Sequence, residues 1–402
     1  MKTTRSSINR FTAAAAVVVL TGLTTVAKAQ SGANAQTTRD TSRILQLVYT
    51  SDAHFGITRK VFRGEDSVSS FIVNKAMIAQ INTLPDVPLP GDGGVNAGNP
   101  VGGIDYLAQT GDIANRQEIP LQSATQSWAQ FTEVYLDGLK TLGHNGKPTG
   151  FLIVPGNHDV SDAIGYPKPM RPLTDPASMV GIYNMMMHPA APLTSAAFDY
   201  GKDKVNYSRD IAGIHFVFLT IWPDSGMRVW MEKDLAAVSP STPVVIFTHD
   251  PPGGDPEHFL NPFPPHTINS RDKFQNLLAE TFKDDPAADP LNDNIEQREW
   301  VAFLKAHPNI KAYFHGHENA NEFYTYKGPD GDIALPVFRV DSPMKGKPSS
   351  KDETRLSFQL ISIDTRSQTM TVRECLWDTH PDDPAGLVSW GQSRTISLRV
   401  TP

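Results

Sequence analysis

The feature that most constrains the fold is a series of short apolar runs that each end in polar residues. Residues 151–159, FLIVPGNHD, begin with four apolar residues, break at Pro-Gly and end in Asn, His and Asp. Four other runs end in the same way: ILQLVYTSDAH (44–54), IDYLAQTGD (104–112), TPVVIFTHD (242–250) and IKAYFHGHEN (310–319). A sixth, IHFVFLTIW (214–222), is followed by Pro223-Asp224. Short apolar runs bounded by turn residues are typical of buried strands.

Helical patterns separate some of these runs. Apolar residues recur at helical spacing in segments 68–79, 121–142 and 294–307, and strands that alternate with helices predict an α/β fold. Segments 354–364 and 369–377 alternate apolar and polar residues around a short turn, which predicts an antiparallel hairpin. We therefore predict one domain with two sheets over residues 44–402, with C-terminal antiparallel strands at about 354–400.

The N-terminal segment is predicted to be a secretory signal peptide over residues 1–29. Basic residues precede an apolar stretch at 11–27, and Ala27-Lys28-Ala29 is a small-x-small cleavage site. A membrane anchor is the alternative, although the apolar run is short for a span. Residues 30–43 are polar and small, which predicts a disordered lead-in. A periplasmic or secreted protein without membrane association after cleavage is the expectation.

The composition of the chain limits which classes of binding partner are expected. A net charge of -7 and a pI near 5.9 argue against a general nucleic-acid binder, which would usually show a basic patch. A phosphate-bearing substrate remains possible, because bound metal ions can reverse the local field. The single cysteine, Cys375, cannot form an internal disulfide and is predicted to be a small buried residue. The sequence does not indicate an oligomeric state.

The polar residues after the strands indicate a metal site. Sites in open α/β sheets lie at the carboxyl ends of strands, and Asp, His and Asn donors suit Mn, Fe or Zn. Asp52 and His54 are two residues apart in an extended segment, so both side chains can reach one ion. Asp112 is the only ligand that its strand offers, which makes it the simplest bridge between two ions. Paired ions clamp the oxygens of a phosphoryl transfer and lower the pKa of a bound water.

The order of these motifs resembles that of the calcineurin-like metallophosphoesterases. The motifs are Asp52-x-His54, Gly111-Asp112-x-x-Asn115, Gly156-Asn157-His158-Asp159, His249 and Gly316-His317-x-Asn319. The resemblance spans roughly residues 44–320. It implies a four-layer αββα sandwich, in which two mixed β-sheets are flanked by helices, with a dinuclear metal site.

The resemblance also implies roles for individual residues. One metal would be held by Asp52, His54, Asp112 and the last motif position, Asn319. The other would be held by Asp112, Asn157, His249 and His317. His158 would not bind metal; it would serve as the catalytic residue that protonates the leaving-group oxygen or stabilises charge on it. The implied activity is hydrolysis of a small phosphate mono- or diester by a metal-bound hydroxide, with two divalent or trivalent ions as cofactors.

Two departures from the family pattern leave alternatives open. Asn319 stands where a second His is usual, so the first metal could bind weakly, or His315 and His317 could form a pair shifted by two residues; we prefer the unshifted register. Asn115 stands where many relatives carry an Asp that orients the catalytic His, which predicts a poorer acid at His158. Both departures favour the alternative function, a catalytically weak metal-binding module that binds a ligand or partner.

Several further residues are expected to have mostly structural roles or to lie at the surface. Asp159 and Asp250 are equally compatible with turns and with orienting a ligating imidazole. His215 is predicted to be a packed strand residue, and His258 a surface or loop residue. Arg339 and Lys345 could meet a substrate phosphate, but a solvated loop is the default expectation for both.

Overall fold

The computed structural model describes residues 43–115, 122–160, 175–199, 202–255, 258, 295–381 and 388–400. The predicted signal peptide and almost all of the predicted lead-in lie outside these residues. A compact unit covers Thr41–Pro402. Within the described part of the chain, no helix is both long enough and apolar enough to cross a membrane.

Fourteen strands occur among the described residues. In chain order they are β1 (Ile44–Thr50), β2 (Thr58–Phe62), β3 (Glu65–Ser69), β4 (Tyr106–Gln109), β5 (Gly150–Ile153), β6 (Tyr207–Ile211), β7 (Ile214–Phe218), β8 (Val244–Phe247), β9 (Ile310–His315), β10 (Glu322–Tyr326), β11 (Leu335–Arg339), β12 (Ser357–Asp364), β13 (Thr369–Leu376) and β14 (Ser389–Ser397). Each of the six predicted apolar runs contains one of these strands.

Six α-helices occur among the described residues, and not all of them match the bounds that the sequence patterns suggest. They are α1 (Ser70–Thr83), α2 (Ala124–Phe131), α3 (Asn157–Val160), α4 (Ala177–Met187), α5 (Ser225–Leu235) and α6 (Ile295–Ala306), with 3-10 turns at Leu84–Asp86 and Glu353–Arg355. The predicted helix 121–142 is wrong at its C-terminal end. Regular α-helix stops at Phe131 and a π-helical turn covers Thr132–Leu136. Gly138, a poor helix former, follows this turn.

The helix predicted from residue 68 begins at Ser70 instead, because Val68 belongs to a hairpin that the sequence pattern did not indicate. This hairpin pairs β2 with β3. Arg63 and Gly64, at its turn, both have positive φ, as expected of a tight two-residue hairpin turn.

Two mixed sheets of six strands form the centre of the molecule. The first has the order β14-β13-β12-β1-β4-β5 and the second β10-β11-β9-β8-β7-β6. The Tyr49 ring of β1 lies edge-on to Phe247 of β8 and Phe314 of β9, at 5.5 and 5.4 Å, so the sheets pack face to face. Trp300 of α6 lies 6.3 Å from Tyr313 of β9 on the outer side of the second sheet. The predicted α/β fold, with two mixed sheets and flanking helices, is confirmed.

The parallel strands bring the candidate residues to one edge. β1, β4 and β5 are mutually parallel neighbours in the first sheet, as are β7, β8 and β9 in the second. The carboxyl ends of β4 and β8 meet across the sandwich, where His249 Nδ1 lies 2.6 Å from the carbonyl oxygen of Thr110. The amide of His317, after β9, donates to Asp52 Oδ2, after β1, at 3.0 Å.

The C-terminal sheet extension contains a fully buried cation. β12, β13 and β14 are antiparallel, and Arg373 of β13 is 0% exposed. Its guanidinium donates two hydrogen bonds to Asp92, at 2.8 and 2.9 Å, and a third to the carbonyl of Val95 at 3.0 Å. The hydrogen bonds from Arg373 lower the pKa of Asp92 to about 2.

We expect Asp92→Asn to lower the free energy of unfolding by about 3 kcal/mol near neutral pH, because it leaves a buried guanidinium without its counter-charge. The folded-state pKa is depressed, so this stabilisation is complete above the unfolded value near 3.9 and is lost as pH falls toward 2. Urea unfolding of the wild type and of Asp92→Asn should be measured from pH 7 to pH 3. The difference between their free energies of unfolding, here called the gap, should become smaller below pH 5. Asp86→Asn, at an exposed neighbour, is the control; a gap that stays constant with pH would contradict the prediction.

Candidate metal centre

Loops beyond the strands of both sheets are hydrogen-bonded into one platform. The amides of Asp52 and His54 donate to the carbonyls of Gly111 and Asp112, at 3.0 and 2.8 Å, so the loops after β1 and β4 run side by side. In the second sheet the amide of Gly316 donates to the carbonyl of His249 at 3.0 Å. These bonds determine where the side chains at the strand ends can point.

Asp112 lies at the middle of the cluster. Its Oδ2 is 3.6 Å from His54 Nε2, and its Oδ1 is 3.5 Å from His249 Nε2. Asp52 Oδ1 is also 3.6 Å from His54 Nε2, and Asn157 Oδ1 is 3.0 Å from His249 Nε2. All five side chains are buried. The structure thus brings together five of the seven predicted metal ligands, from four different strand ends.

Potential ligand atoms form two groups around this carboxylate. His54, Asp112 and His158 offer atoms within 4.8 Å of one another, as do Asp52, Asp112 and His249. Because both groups contain Asp112, the geometry is compatible with the bridging role predicted for it.

Some buried polar atoms of these residues have no hydrogen-bond partner among the described residues, which shows whether the residues are suited to hold metal ions. Both ring nitrogens of His54 and Oδ1 of Asp52 are buried without a hydrogen-bond partner among the described residues. Buried polar atoms of native proteins are normally paired. Imidazole nitrogen and carboxylate oxygen together are donors that Mn, Fe and Zn accept. The donor set therefore fits the ions that the family implies.

The orientation of the His249 ring is determined by its surroundings. Its Nδ1 donates to the carbonyl of Thr110, which leaves Nε2 facing Asn157 and Asp112. A backbone carbonyl that accepts a hydrogen bond from the other ring nitrogen is usual behind a ligating imidazole. Burial opposes charge on His249, but Asp112 outweighs it and raises the pKa of His249 to about 10. Burial likewise opposes charge on Asp112, yet His249 and His158 hold its pKa well below the ordinary value.

His158 lies at the rim of this cluster. Its Nδ1 is 2.8 Å from the carbonyl oxygen of Asn115, and its Nε2 is 3.9 Å from Asp112 Oδ2. The backbone carbonyl of Asn115 therefore orients the ring. The Asn115 side-chain oxygen is buried without a partner among the described residues. Burial lowers the pKa of His158 well below its usual value, despite the attraction of Asp112.

His317 lies beside the cluster rather than within it. Its ring is 5.1 Å from that of His249, but its Nε2 is 2.7 Å from Asp255 Oδ2. It groups with His249 and Asp250, and not with Asp112. Of the four ligands predicted for the second metal, three converge and His317 is turned aside.

Asn319 is the remaining predicted ligand. Its amide nitrogen donates to the carbonyl of His317 at 2.6 Å, and its side-chain oxygen has no partner among the described residues. No described contact joins Asn319 to Asp52 or His54.

The alternative ligand His315 points away from the candidate centre. Its Nε2 is 2.9 Å from the hydroxyl of Tyr324, and its Nδ1 is 3.0 Å from the carbonyl oxygen of Gly316. It belongs to none of the ligand groups found among the described residues. The structure therefore gives no support to a ligand pair formed by His315 and His317, and the unshifted register stays a prediction.

Two acidic neighbours have different roles. Asp159 accepts hydrogen bonds from the backbone amides of Ile113, Ala114 and Gly156, so it holds the loops after β4 and β5 together. Burial raises the pKa of Asp159 to about 6. Asp250 instead lies 2.6 Å from His258 Nδ1.

The expectation for His258 was wrong. The side chain is buried, and its ring lies 4.7 Å from that of His317. Together with Asp255 it extends the cluster outward. The only sequence signal for this position was that His258 lies nine residues after His249 in the chain. The spacing between these two histidines matches no ligand pattern. His215, by contrast, is the packed strand residue that was predicted, buried between Asp210 and Asp234.

The two basic residues of the following segment also differ from each other. Arg339 is paired with Glu318 and Glu322. The half-buried Lys345 has its Nζ 3.3 Å from His158 Nε2, so the default expectation of a solvated loop was wrong for this residue. Nothing in its sequence neighbourhood signalled the contact.

Backbone conformation at the cluster is unusual. Five of the candidate residues have φ in the left-handed region, where residues other than Gly are uncommon: Asp52 (55°), His54 (45°), Asp112 (52°), His317 (64°) and Asn319 (54°). Such conformations tend to gather at functional sites. Two motif glycines permit the close approach, because a Cβ at Gly156 would lie 2.3 Å from Asp112 Oδ1 and one at Gly316 would lie 2.3 Å from Asp52 Oδ2.

Comparison with protein families agrees with this arrangement. The model of the calcineurin-like phosphoesterases matches residues 47–331, which include every motif residue named above. The chain belongs to the calcineurin-like phosphoesterase family. Membership in this family and the clustered His and Asp side chains together indicate a dinuclear metal site and a phosphoester hydrolase in the broad sense.

Three solved structures to which this calcineurin-like phosphoesterase is similar are distant from it in sequence. A dimetal phosphatase from Danio rerio is 11% identical, with a TM-score of 0.48, 88% of this chain covered and 99% of that one. The calcineurin-like phosphoesterase YfkN from Bacillus subtilis is 11% identical, with a TM-score of 0.29 and coverages of 88% and 91%. Zinc-complexed Vps29 from Entamoeba histolytica is 9% identical, with a TM-score of 0.32 and coverages of 88% and 100%. No curated protein matches the chain.

Proposed function

We propose that this protein is a metal-dependent phosphoesterase that hydrolyses a small phosphate mono- or diester with two ions of Mn, Fe or Zn. The observation that carries the proposal is the buried group of Asp52, His54, Asp112, Asn157 and His249, in which ligand atoms remain unpaired. Asp52, His54 and Asp112 would hold one ion. Asp112, Asn157 and His249 would hold the other. His317 and Asn319 would complete the two sets.

Bound ions of this kind lower the pKa of a water and stabilise charge on phosphoryl oxygens. The chain itself orients the groups around them. Thr110 holds the ring of His249 with Nε2 turned inward, and Asp159 holds the loops that carry Asp112 and Asn157. His158 is outside the proposed ligand sets. Because its Nδ1–H donates to Asn115, its Nε2 is the ring atom that faces Asp112 and the proposed ions, and in the protonated form of the ring Nε2–H would donate to the ester oxygen of the leaving group.

We also propose that the protein acts in the periplasm or outside the cell. The support is the three-part N-terminal segment, with basic residues, an apolar stretch and Ala27-Lys28-Ala29. Peptide sequencing of the mature N-terminus after expression in a host with a Sec pathway tests this, with Gln30 as the expected first residue.

A second candidate is a metal-binding module with little or no turnover. Two observations favour it: the Asn115 side chain does not orient His158, and Asn319 occupies the last position of the final motif. A module of this kind would bind metal and a phosphate ligand without hydrolysis.

Metal titration separates the two candidates. Chelator-treated protein should take up two Mn or Zn ions per chain by elemental analysis, and thermal unfolding should move to higher temperature as the ions bind. Hydrolysis of p-nitrophenyl phosphate or bis-p-nitrophenyl phosphate should appear only with metal. Two bound ions without hydrolysis of either ester would favour the binding module, and a chain that binds no ion would refute both candidates.

A further inference from the structure

We propose that Lys345 is a phosphate-binding residue that makes the site prefer phosphate monoesters, which carry two negative charges near neutral pH, over diesters, which carry one. This inference rests on the proposed function and narrows its substrate class. It concerns a residue outside the family's motifs.

The position of the ammonium group is the first observation. Lys345 Nζ lies 3.3 Å from His158 Nε2 and is half-buried. An ammonium group only donates, so Nε2 is the acceptor, which agrees with an Nδ1–H that donates to the carbonyl of Asn115. The positive charge is thus held at the ring that also lies 3.9 Å from Asp112.

The loop that carries Lys345 is tied to the candidate centre. Ser342 Oγ donates to the carbonyl of Asp52 at 2.8 Å, and it accepts hydrogen bonds from the amides of Met344 and Lys345, at 3.2 and 3.0 Å. One serine side chain therefore joins the backbone that begins the Asp52-x-His54 motif to the backbone of the lysine.

Arg59 makes a second set of contacts with the same loop. Arg59 is 3% exposed, and its guanidinium donates to the carbonyls of Pro343, at 3.1 Å, and Ser349. Because the loop is held at Ser342, Pro343 and Ser349, less entropy is lost when the ammonium binds a ligand than for a lysine on a free loop.

Other basic groups of this segment are placed differently. Arg339 is paired with Glu318 and Glu322, so its charge is already balanced. Lys347 is exposed, and only its backbone amide contacts the centre's surroundings, through the carbonyl of Asn319. Lys345 is thus the basic side chain of this loop that is directed at the candidate centre.

The charge of Lys345 discriminates between the two ester classes. Coulombic attraction grows with ligand charge, so a fixed cation favours a dianion over a monoanion in the same position. Hydrogen bonds between ammonium and phosphate oxygens are among the stronger ones in proteins. A diester has one negatively charged oxygen fewer than a monoester dianion, so the same contact with Lys345 stabilises its binding less.

The test compares two esters that share a leaving group. With Mn-loaded protein, kcat and KM are measured for p-nitrophenyl phosphate and bis-p-nitrophenyl phosphate in the wild type, Lys345→Met, Lys345→Arg and the matched control Lys347→Met. For Lys345→Met we expect kcat/KM to fall about 10- to 100-fold for the monoester. The loss should be less than about 5-fold for the diester, since it offers one less charge. Lys345→Arg should recover part of the loss, and Lys347→Met should match the wild type.

A binding measurement gives a second readout that needs no turnover. Calorimetric affinity of the Mn-loaded proteins for inorganic phosphate should fall about 10-fold or more in Lys345→Met, with unchanged metal content, and not in Lys347→Met. If the wild type hydrolyses neither ester, the proposed function fails, and phosphate affinity alone decides the role of Lys345. Equal losses for both esters, or unchanged phosphate affinity, would overturn the inference. If Lys345→Met does not fold, the same comparisons are made with Lys345→Gln.

Discussion

Replacing Asp112 with Asn is expected to reduce turnover by about 10³-fold or more and to lower the metal content from two ions to one or none. The substitution preserves shape and removes only the negative charge. Asp112 is within 4 Å of ring nitrogens of His54, His249 and His158, so its charge acts on all three rings. A neutral amide could not bridge two cations as a carboxylate does.

The matched control for this prediction is Asp105→Asn. Asp105 directly precedes β4, at the end opposite to Asp112, where its carboxylate pairs with His144 at 2.8 Å. In this variant we expect both kcat and the metal content, measured by elemental analysis, to equal those of the wild type. Asp112→Asn protein that retained two ions and normal turnover would end the case for a bridged metal pair.

The second large effect is expected for His158→Asn. Loss of a group that assists departure of the ester oxygen should lower kcat about 10²- to 10⁴-fold for phenyl phosphate, whose leaving group is poor. The loss should be smaller for p-nitrophenyl phosphate, because p-nitrophenolate needs less assistance. Two ions should remain bound, since His158 is outside the proposed ligand sets.

The dependence on the leaving group separates this role from a structural one. A variant that is merely misfolded or short of metal would lose activity equally on both esters. His215→Asn is the control at a buried histidine of β7, whose partners are Asp210 and Asp234. Loss of metal together with activity in His158→Asn would instead place His158 among the ligands.

Much of the fold could be predicted because its strands are short, apolar and bounded by turn residues. The runs that contain β1, β4, β8 and β9 lie inside the sheets and are mostly buried, so they are largely apolar; β5 is an edge strand that is buried only at its carboxyl end. The β2–β3 hairpin was missed because only three of its ten strand residues are buried and most of the others are polar or charged. The end of α2 was missed because periodicity alone does not reveal where a helix changes to π geometry.

Positions within the candidate centre were predictable to different degrees. Asp52, His54 and Asp112 follow directly from strands that pair with each other, so local sequence was enough to bring them together. The orientation of His158 by the backbone of Asn115 could not be predicted, because any residue type supplies the same carbonyl. The turn of His317 toward Asp255 depends on a loop that follows a different strand.

The sequence by itself determined which donor atoms stand at the strand ends, because residue identity and strand periodicity are local properties of the chain. Only the tertiary structure decided that His315 points away, that His258 is buried beside His317, and that Lys345 reaches His158. These contacts join residues far apart in the chain or on different loops. Their geometry depends on how two sheets pack and on hydrogen bonds such as that from Ser342 to Asp52, which leave no periodic signal in the sequence.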